Sequence, residues 1–356
     1  MVLLINQLTI EVRILILEAL DDISSLVPAL CAHRCFYDAF KAGKGIAEVI
    51  IQRQVHPHLL PLAIAAVEAS HSHRGNIVER ERIHELCANI DKNPGPFIDR
   101  LKARRPGRKP SSSTPIPIPD LIQIGRCHDI IKELAVGYAA LAWRRFVEAP
   151  GCPIKLSAAE RIRFYRAFWR LELFFMAYRG YDGTNPPIRF LHAFPPWEWE
   201  QLACVHRWLE SWLLRDANVL SIWANSEAYA IDPVHRKLQI WLSQGLRLLI
   251  QLKETGSVEA KRTLLARAFE SQWVSLRDAM AVAYRFRSKS SPWIKFNNNN
   301  NNNPGIRFPL KDRGPYGDLD NGPRNGWAAV HIELDGQGWW VNYDKVYTVA
   351  NTAYVF

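Results

Sequence analysis

Apolar residues recur along most of this chain at the three- and four-residue spacing of helices, and alternation appears only near the end. Val12, Leu15, Ile16 and Leu20 form the first such stripe, on a predicted helix from Ile10 to about Leu20 that Thr9 can cap and whose first turn holds Glu11. Asp21-Asp22 then reads as a turn, Ser24 or Ser25 as the start of a second short helix, and Gly43 and Gly45 as the close of the unit. Helices are predicted next from about His58 to Ser70 and from Val78 to Ile90.

The pattern breaks over Lys102 to Pro119, where five basic residues without an acid lead into three Ser and an Ile-Pro repeat. Proline excludes a helix interior and keeps such a repeat extended, so a linker or exposed loop is expected. Long helices follow. Ser157-Ala-Ala-Glu160 is a capping box that starts one running to about Tyr178, before Gly180. Pro195-Pro196 opens the next, with Glu198 and Glu200 in its first turn and Leu202, Val205, Leu209 and Leu213 as its stripe. Two more are expected at about 235–254 and 258–286. After seven consecutive Asn from Asn297, read as a solvated spacer, Val330, Ile332 and Leu334 alternate with polar residues. Asp335-Gly336 and Trp339 to Val349 complete a hairpin signal.

The expected fold class is therefore mainly α: an N-terminal unit of short helices, a larger irregular helical body, and a small C-terminal β hairpin. The chain divides into residues 1–44, a helical segment 45–101, the basic Pro/Ser-rich linker 102–120, a helical body 121–296, and the Asn-rich spacer and β tail 297–356.

Composition narrows the function classes. Hydrophobic residues at 48% and charged ones at 22% are those of a packed globular protein. No window approaches the roughly 18 apolar residues that span a bilayer. Six dispersed Cys and an N-terminus interrupted by Glu11 point to an intracellular protein, cytoplasmic or nuclear, without a secretory signal or a disulfide framework. The net charge of +10 comes from 45 basic and 35 acidic residues that are mostly interspersed. Its two local concentrations are Arg104, Arg105, Arg108 and Lys109, a candidate import signal or nucleic-acid contact, and the helical face of Arg163, Arg166 and Arg170. That face either meets phosphate or pairs with acids on a neighbouring helix.

Phosphate loops, nucleophile elbows, zinc-protease and kinase motifs are missing, so no enzymatic activity and no cofactor is expected. The pairs His56/His58, His71/His73 and Cys31/Cys35 fall short of the two close-spaced pairs of a structural zinc site, and no metal is expected. Trp197/Trp199, Trp208/Trp212 and Trp339/Trp340 are read as core before groove.

One segment carries a recognisable pattern. Leu8-Thr9-Ile10-Glu11-Val12, Leu15, Leu17, Leu20, Ile23, Leu26, Leu30 and the closing Arg34-Cys35-Phe36-Tyr37 resemble an F-box, with Thr9 where the family usually has Pro. Leu59 to Ala66, Leu156 to Glu160 through Phe168-Trp169-Arg170, and Phe194 to Glu198 look like the F-box-like proteins common in filamentous fungi. The resemblance implies docking onto a Skp-type adaptor of a Skp–cullin–F-box ubiquitin ligase, with an unknown protein cargo held elsewhere on the chain. It assigns the partner surface to Leu8, Ile10, Glu11, Ile14, Leu15, Leu17, Leu20, Leu26, Leu30, Phe36 and Tyr37. Physically, a bundle of about 40 residues cannot bury all its apolar side chains alone. Leu8, Ile10, Ile14, Leu17 and Phe36 are expected to be those left over.

Overall fold

The computed structural model describes residues 5–71, 90, 94–102, 115–144, 156–179, 190–191, 194, 196–215, 233–268, 275–276 and 279–280. Among them the protein is mainly helical and contains no strand. The expected hairpin, the Asn run, the helix expected at Val78 to Ile90 (its last residue apart) and the cluster Arg104, Arg105, Arg108 and Lys109 lie outside the described residues.

Four short helices come first: α1 (Ile10–Glu18), α2 (Leu26–Ala32), α3 (Arg34–Ala42) and α4 (Ile46–Gln54). One 3-10 turn, Ile5–Gln7, precedes α1, and a second, Ile23–Ser25, leads into α2. They are followed by α5 (Leu60–His71), α6 (Gly95–Lys102), α7 (Ile118–Arg144), α8 (Ala158–Tyr178) and α9 (Pro196–Arg215). Then come α10 (Pro233–Leu242), α11 (Leu246–Glu254) and α12 (Val258–Ala268).

The capping box starts α8 as expected: Ser157 Oγ accepts from the Glu160 N–H at 3.2 Å, and Glu160 Oε2 accepts from the Ser157 N–H at 2.7 Å. The Ser157 hydroxyl first, and its backbone N–H second, hold the Glu160 carboxylate below its ordinary range. Helix α7 begins inside the stretch expected to be linker, because Pro119 falls in its first turn, where a missing N–H costs nothing. The single helix expected at 235–254 is two. Gly245 adopts φ 78° and ψ −172°, a conformation essentially confined to glycine, and the chain turns there between α10 and α11.

Helix α8 is the centre of the molecule. From Ala167 to Tyr178 it is buried on every side, packed broadly against α5 and also against α7 and α9. This explains a sequence that, Arg170 and Glu172 apart, is apolar and aromatic all round instead of striped. Phe168, Trp169, Phe174 and Phe175 lie inside. Trp208 of α9 stands edge-on to Phe168 at 6.1 Å, and Tyr138 of α7 edge-on to Phe164 at 5.5 Å. Trp199 and Trp208 are core residues, as read from the sequence. No helix among the described residues is long and apolar enough to cross a membrane.

Candidate docking surface

The local chemistry of the first 44 residues determines which apolar groups stay outside. Thr9 occupies the N-cap position of α1 with extended backbone, but its side chain does not cap the first turn. Instead Glu11, held below the ordinary carboxylate range, bonds its own backbone N–H and then the Thr9 hydroxyl. The cap of the next turn is Asp22, whose carboxylate accepts from both the N–H and the hydroxyl of Ser25 at 2.8 Å. Ser25, one of the two Ser anticipated from the sequence, occupies the N-cap position of α2, without a cap bond from its side chain. His33 starts α3, its Nδ1 accepting from the Cys35 N–H at 3.1 Å.

Helix α1 lies against α3 and α4, and the Ile23–Ser25 turn sits on α4 and α7. The seat on α7 is made by Gly125. A Cβ there would run into Ile23 Cγ2, and would stand 2.9 Å from Gln54 Oε1. Gln54 joins three elements: it accepts from the Ile23 N–H at 3.1 Å and donates to Asp129 Oδ2 at 3.0 Å and the Gly125 carbonyl at 3.4 Å. Arg53 donates to the Leu20 carbonyl beyond the end of α1. The N-terminal unit is thus fastened to the body by shape and by hydrogen bonds.

This packing sorts the residues assigned from the sequence to a partner surface. Leu17 and Leu26 have no exposed surface and belong to the core, which corrects their assignment: Leu17 points from α1 into the bundle, and Leu26 opens α2 beside the buried Ile23. Ile14, Leu20, Leu30 and Phe36 are half-buried against the same core, and Leu8 is half-buried. Glu11, Ile10, Leu15 and Tyr37 are exposed, Leu15 at 62%. Tyr37 lies under the Lys41 ammonium, 4.6 Å from its ring centroid.

Most of the stripe read from periodicity faces out, while its last member, Leu20, packs against the core. Val12, Leu15 and Ile16 are all exposed, and Ala19 extends the line to i, i+3, i+4, i+7. Helix α1 is therefore apolar on two faces, and Ile14 and Leu17 of the inner face took the core. Ile5 and Val27 are exposed as well. Seven of the nine exposed large hydrophobics among the described residues fall in this unit: Ile5, Ile10, Val12, Leu15, Ile16, Val27 and Tyr37. Val12 and Ile16 were not among the assigned partner residues. Their signal was α1's lack of a polar side, which calls for a second apolar neighbour.

The basic face of α8 is not a surface. Arg170 is 2% exposed, its guanidinium 2.8 Å from Glu198 of α9 and 4.4 Å from the Phe194 ring centroid. Arg166 is buried and 3.7 Å from the same carboxylate, while Arg163 is half-buried. Neighbouring acid, not phosphate, answers these charges. Among the described residues no three His, Cys, Asp or Glu side chains gather as metal ligands, and Cys31, Cys35, Cys127 and Cys204 form no disulfide. His56 and His58 stack at 5.1 Å, and His71 meets Asp120 at 3.0 Å.

Compared with protein-family models, curated proteins and solved structures, the chain matches none of them.

Proposed function

We propose that this chain is a non-catalytic protein-docking protein whose N-terminal unit presents the outer face of α1 to a Skp-type adaptor, while the helical body holds a protein cargo. The observation that carries the reading is the two-faced α1: Val12, Leu15 and Ile16 stay in solvent while Ile14 and Leu17 fill the core. Apolar residues at this spacing are the anchors of a helix laid into a partner's groove. Exposed apolar groups concentrated in one unit mark an interaction site more strongly than the same groups scattered. Any ubiquitin transfer would be done by partners, with no covalent chemistry on this chain.

The test is co-purification of the full-length chain with a Skp-type adaptor, beside Leu15→Asp and a version lacking residues 1–44. Leu15 is exposed, so its substitution is expected to leave stability within about 0.5 kcal/mol while abolishing capture. Leu17→Ala serves as the fold control and should cost about 3–5 kcal/mol. Capture unchanged by Leu15→Asp would reject this surface.

A second reading has its own observation. Leu17, Ile23 and Leu26 are wholly buried in the common core, which supports reading the unit as an integral part of a stand-alone helical scaffold. Removing residues 1–44 would then bare the faces of α4 and α7 and cause aggregation. A detachable docking module would leave residues 45–356 soluble. Nucleic-acid binding gains nothing from α8, where Arg166 and Arg170 are paired inside the protein.

A further inference from the structure

The elbow between α10 and α11 is tied to the central helix by polar contacts that no packing argument requires. Glu172, in the middle of the buried stretch of α8, accepts from the Leu246 N–H at 2.6 Å, at the first turn of α11. One turn before Leu246, the chain folds back through Ser243, Gln244 and Gly245. Ser243 donates to the Ile240 carbonyl at 2.7 Å, and Arg179, just past α8, donates to Gln244 Oε1 at 2.8 Å. Gly245 is the only residue type that fits. Its φ is 78°, and a Cβ there would lie 2.6 Å from both Glu172 Oε2 and Met176 Cε. The carboxyl thus packs directly against the Gly245 backbone and is almost wholly buried.

We propose that this elbow is a proton-operated latch, closed over Glu172 when its carboxyl is neutral and released when the carboxyl ionises and must be hydrated. The charges around it are few. Arg179 is the cation acting on Glu172, and Cys127 of α7 is the titratable neighbour, its thiol pushed up by burial and then by Glu172, with Arg247 of α11 opposing. Acids of the other packed helices are engaged elsewhere: Glu68 of α5 with Arg100, Glu198 of α9 with Arg166 and Arg170, and Glu210 of α9 with Gln239. Burial pushes the Glu172 carboxyl up to about 7, against the pull of the Leu246 N–H and Arg179. In an opened elbow the same carboxyl meets water and returns toward 4.5. The closed form therefore holds the extra proton, and rising pH favours opening. Release would free the apolar face of α11, including Leu246, Leu248, Leu249 and Leu252, from α7.

Peptide-resolved hydrogen exchange on the full chain between pH 5 and 8, corrected for the intrinsic pH dependence of exchange, tests the latch. Protection of the amides from Leu246 to Ile250 should fall about tenfold per pH unit up to pH 7 and then level off. Amides of α5 serve as the reference. Glu172→Gln keeps an acceptor for Leu246 but cannot ionise, so its protection should not vary with pH. Arg179→Gln removes the cation that steadies the ionised closed form, and should carry the fall to higher pH. A wild-type profile without slope, or the same slope in Glu172→Gln, would overturn the proposal. If Glu172→Gln does not fold, an Arg179→Gln profile superimposable on wild type would do so.

Discussion

Replacing Gly125 by Ala sets two physical effects of opposite sign against each other. Gly125 lies inside α7, where Ala is favoured over Gly by about 1 kcal/mol through backbone entropy. Helix propensity alone thus predicts a more stable protein. The packing predicts the reverse. The new methyl would overlap Ile23 Cγ2 and press on Gln54 Oε1 at 2.9 Å. Ile23 is wholly buried and β-branched, so its χ1 has little freedom to swing the methyl away. Nor can the backbone retreat at no cost, since the Ile23 N–H is held by Gln54 at 3.1 Å. Overpacking of this kind costs about 1–3 kcal/mol, and losing the hydrogen bond adds about 1. The sum outweighs the propensity gain, and a net destabilisation of about 1–3 kcal/mol is expected. Urea unfolding of the full-length chain measures it, and a double-mutant cycle with Ile23→Ala assigns it. In the Ile23→Ala background the obstructing methyl is absent, so Gly125→Ala should become stabilising by up to about 1 kcal/mol. If Gly125→Ala stabilises the otherwise wild-type protein, or has the same effect in both backgrounds, the seat of the N-terminal unit on α7 is misdescribed.

Two further expectations concern buried ionisable groups. His128 of α7 is 2% exposed, edge-on to Tyr165 at 5.4 Å, and its pKa is lowered to about 4 by burial first and by Lys132 second, with Asp129 opposing. The unfolded state, titrating near 6.5, binds the proton more tightly, so stability is fully present above pH 6.5 and is lost as pH falls toward 4. Relative to wild type, His128→Gln should therefore gain about 3 kcal/mol between pH 6.5 and 4, read from urea unfolding at a series of pH values. A difference that does not change with pH would contradict the buried neutral imidazole. Glu198→Gln should destabilise by about 3–5 kcal/mol, because it leaves Arg170 charged and buried. Adding Arg170→Met should recover much of that loss, and failure to recover would argue against the pair as the cause.

What could be read from the sequence was what is local. The Ser157/Glu160 box, Pro196 at the start of α9 and the run to Tyr178 all depend on neighbours within a few positions, and each stands where its chemistry places it. Long-range pairings carry no such mark. Glu198 is 28 positions from Arg170 (198 minus 170), and only the crossing of α8 with α9 makes the basic face an interior one. Gly245 shows a nearer failure: within a helical pattern one glycine costs about 1 kcal/mol and is tolerated, so spacing alone does not mark it as an elbow. Its role follows from Glu172, 73 positions upstream (245 minus 172), whose carboxyl fills the place of a side chain.

Helix α1 shows why periodicity found its apolar stripes without deciding which of them faces the core. The stripe Val12, Leu15, Ile16 has good helical spacing, and so does the complementary set Ile10, Ile14, Leu17. Where polar residues fill one side, the core side is decided. Here Glu11, Arg13 and Glu18 are too few and too dispersed to define a solvent face. The choice passes to tertiary fit: Ile14 sits close beside Gly43, where a Cβ would stand 3.0 Å from its Cγ1, and Leu17 closes the bundle. The remaining stripe is then exposed by exclusion, since one helix cannot turn both faces to the same core. An exposed apolar stripe left this way is costly in water unless a second neighbour covers it. Its exposure is accordingly the strongest structural reason to seek the function of this chain in what binds α1.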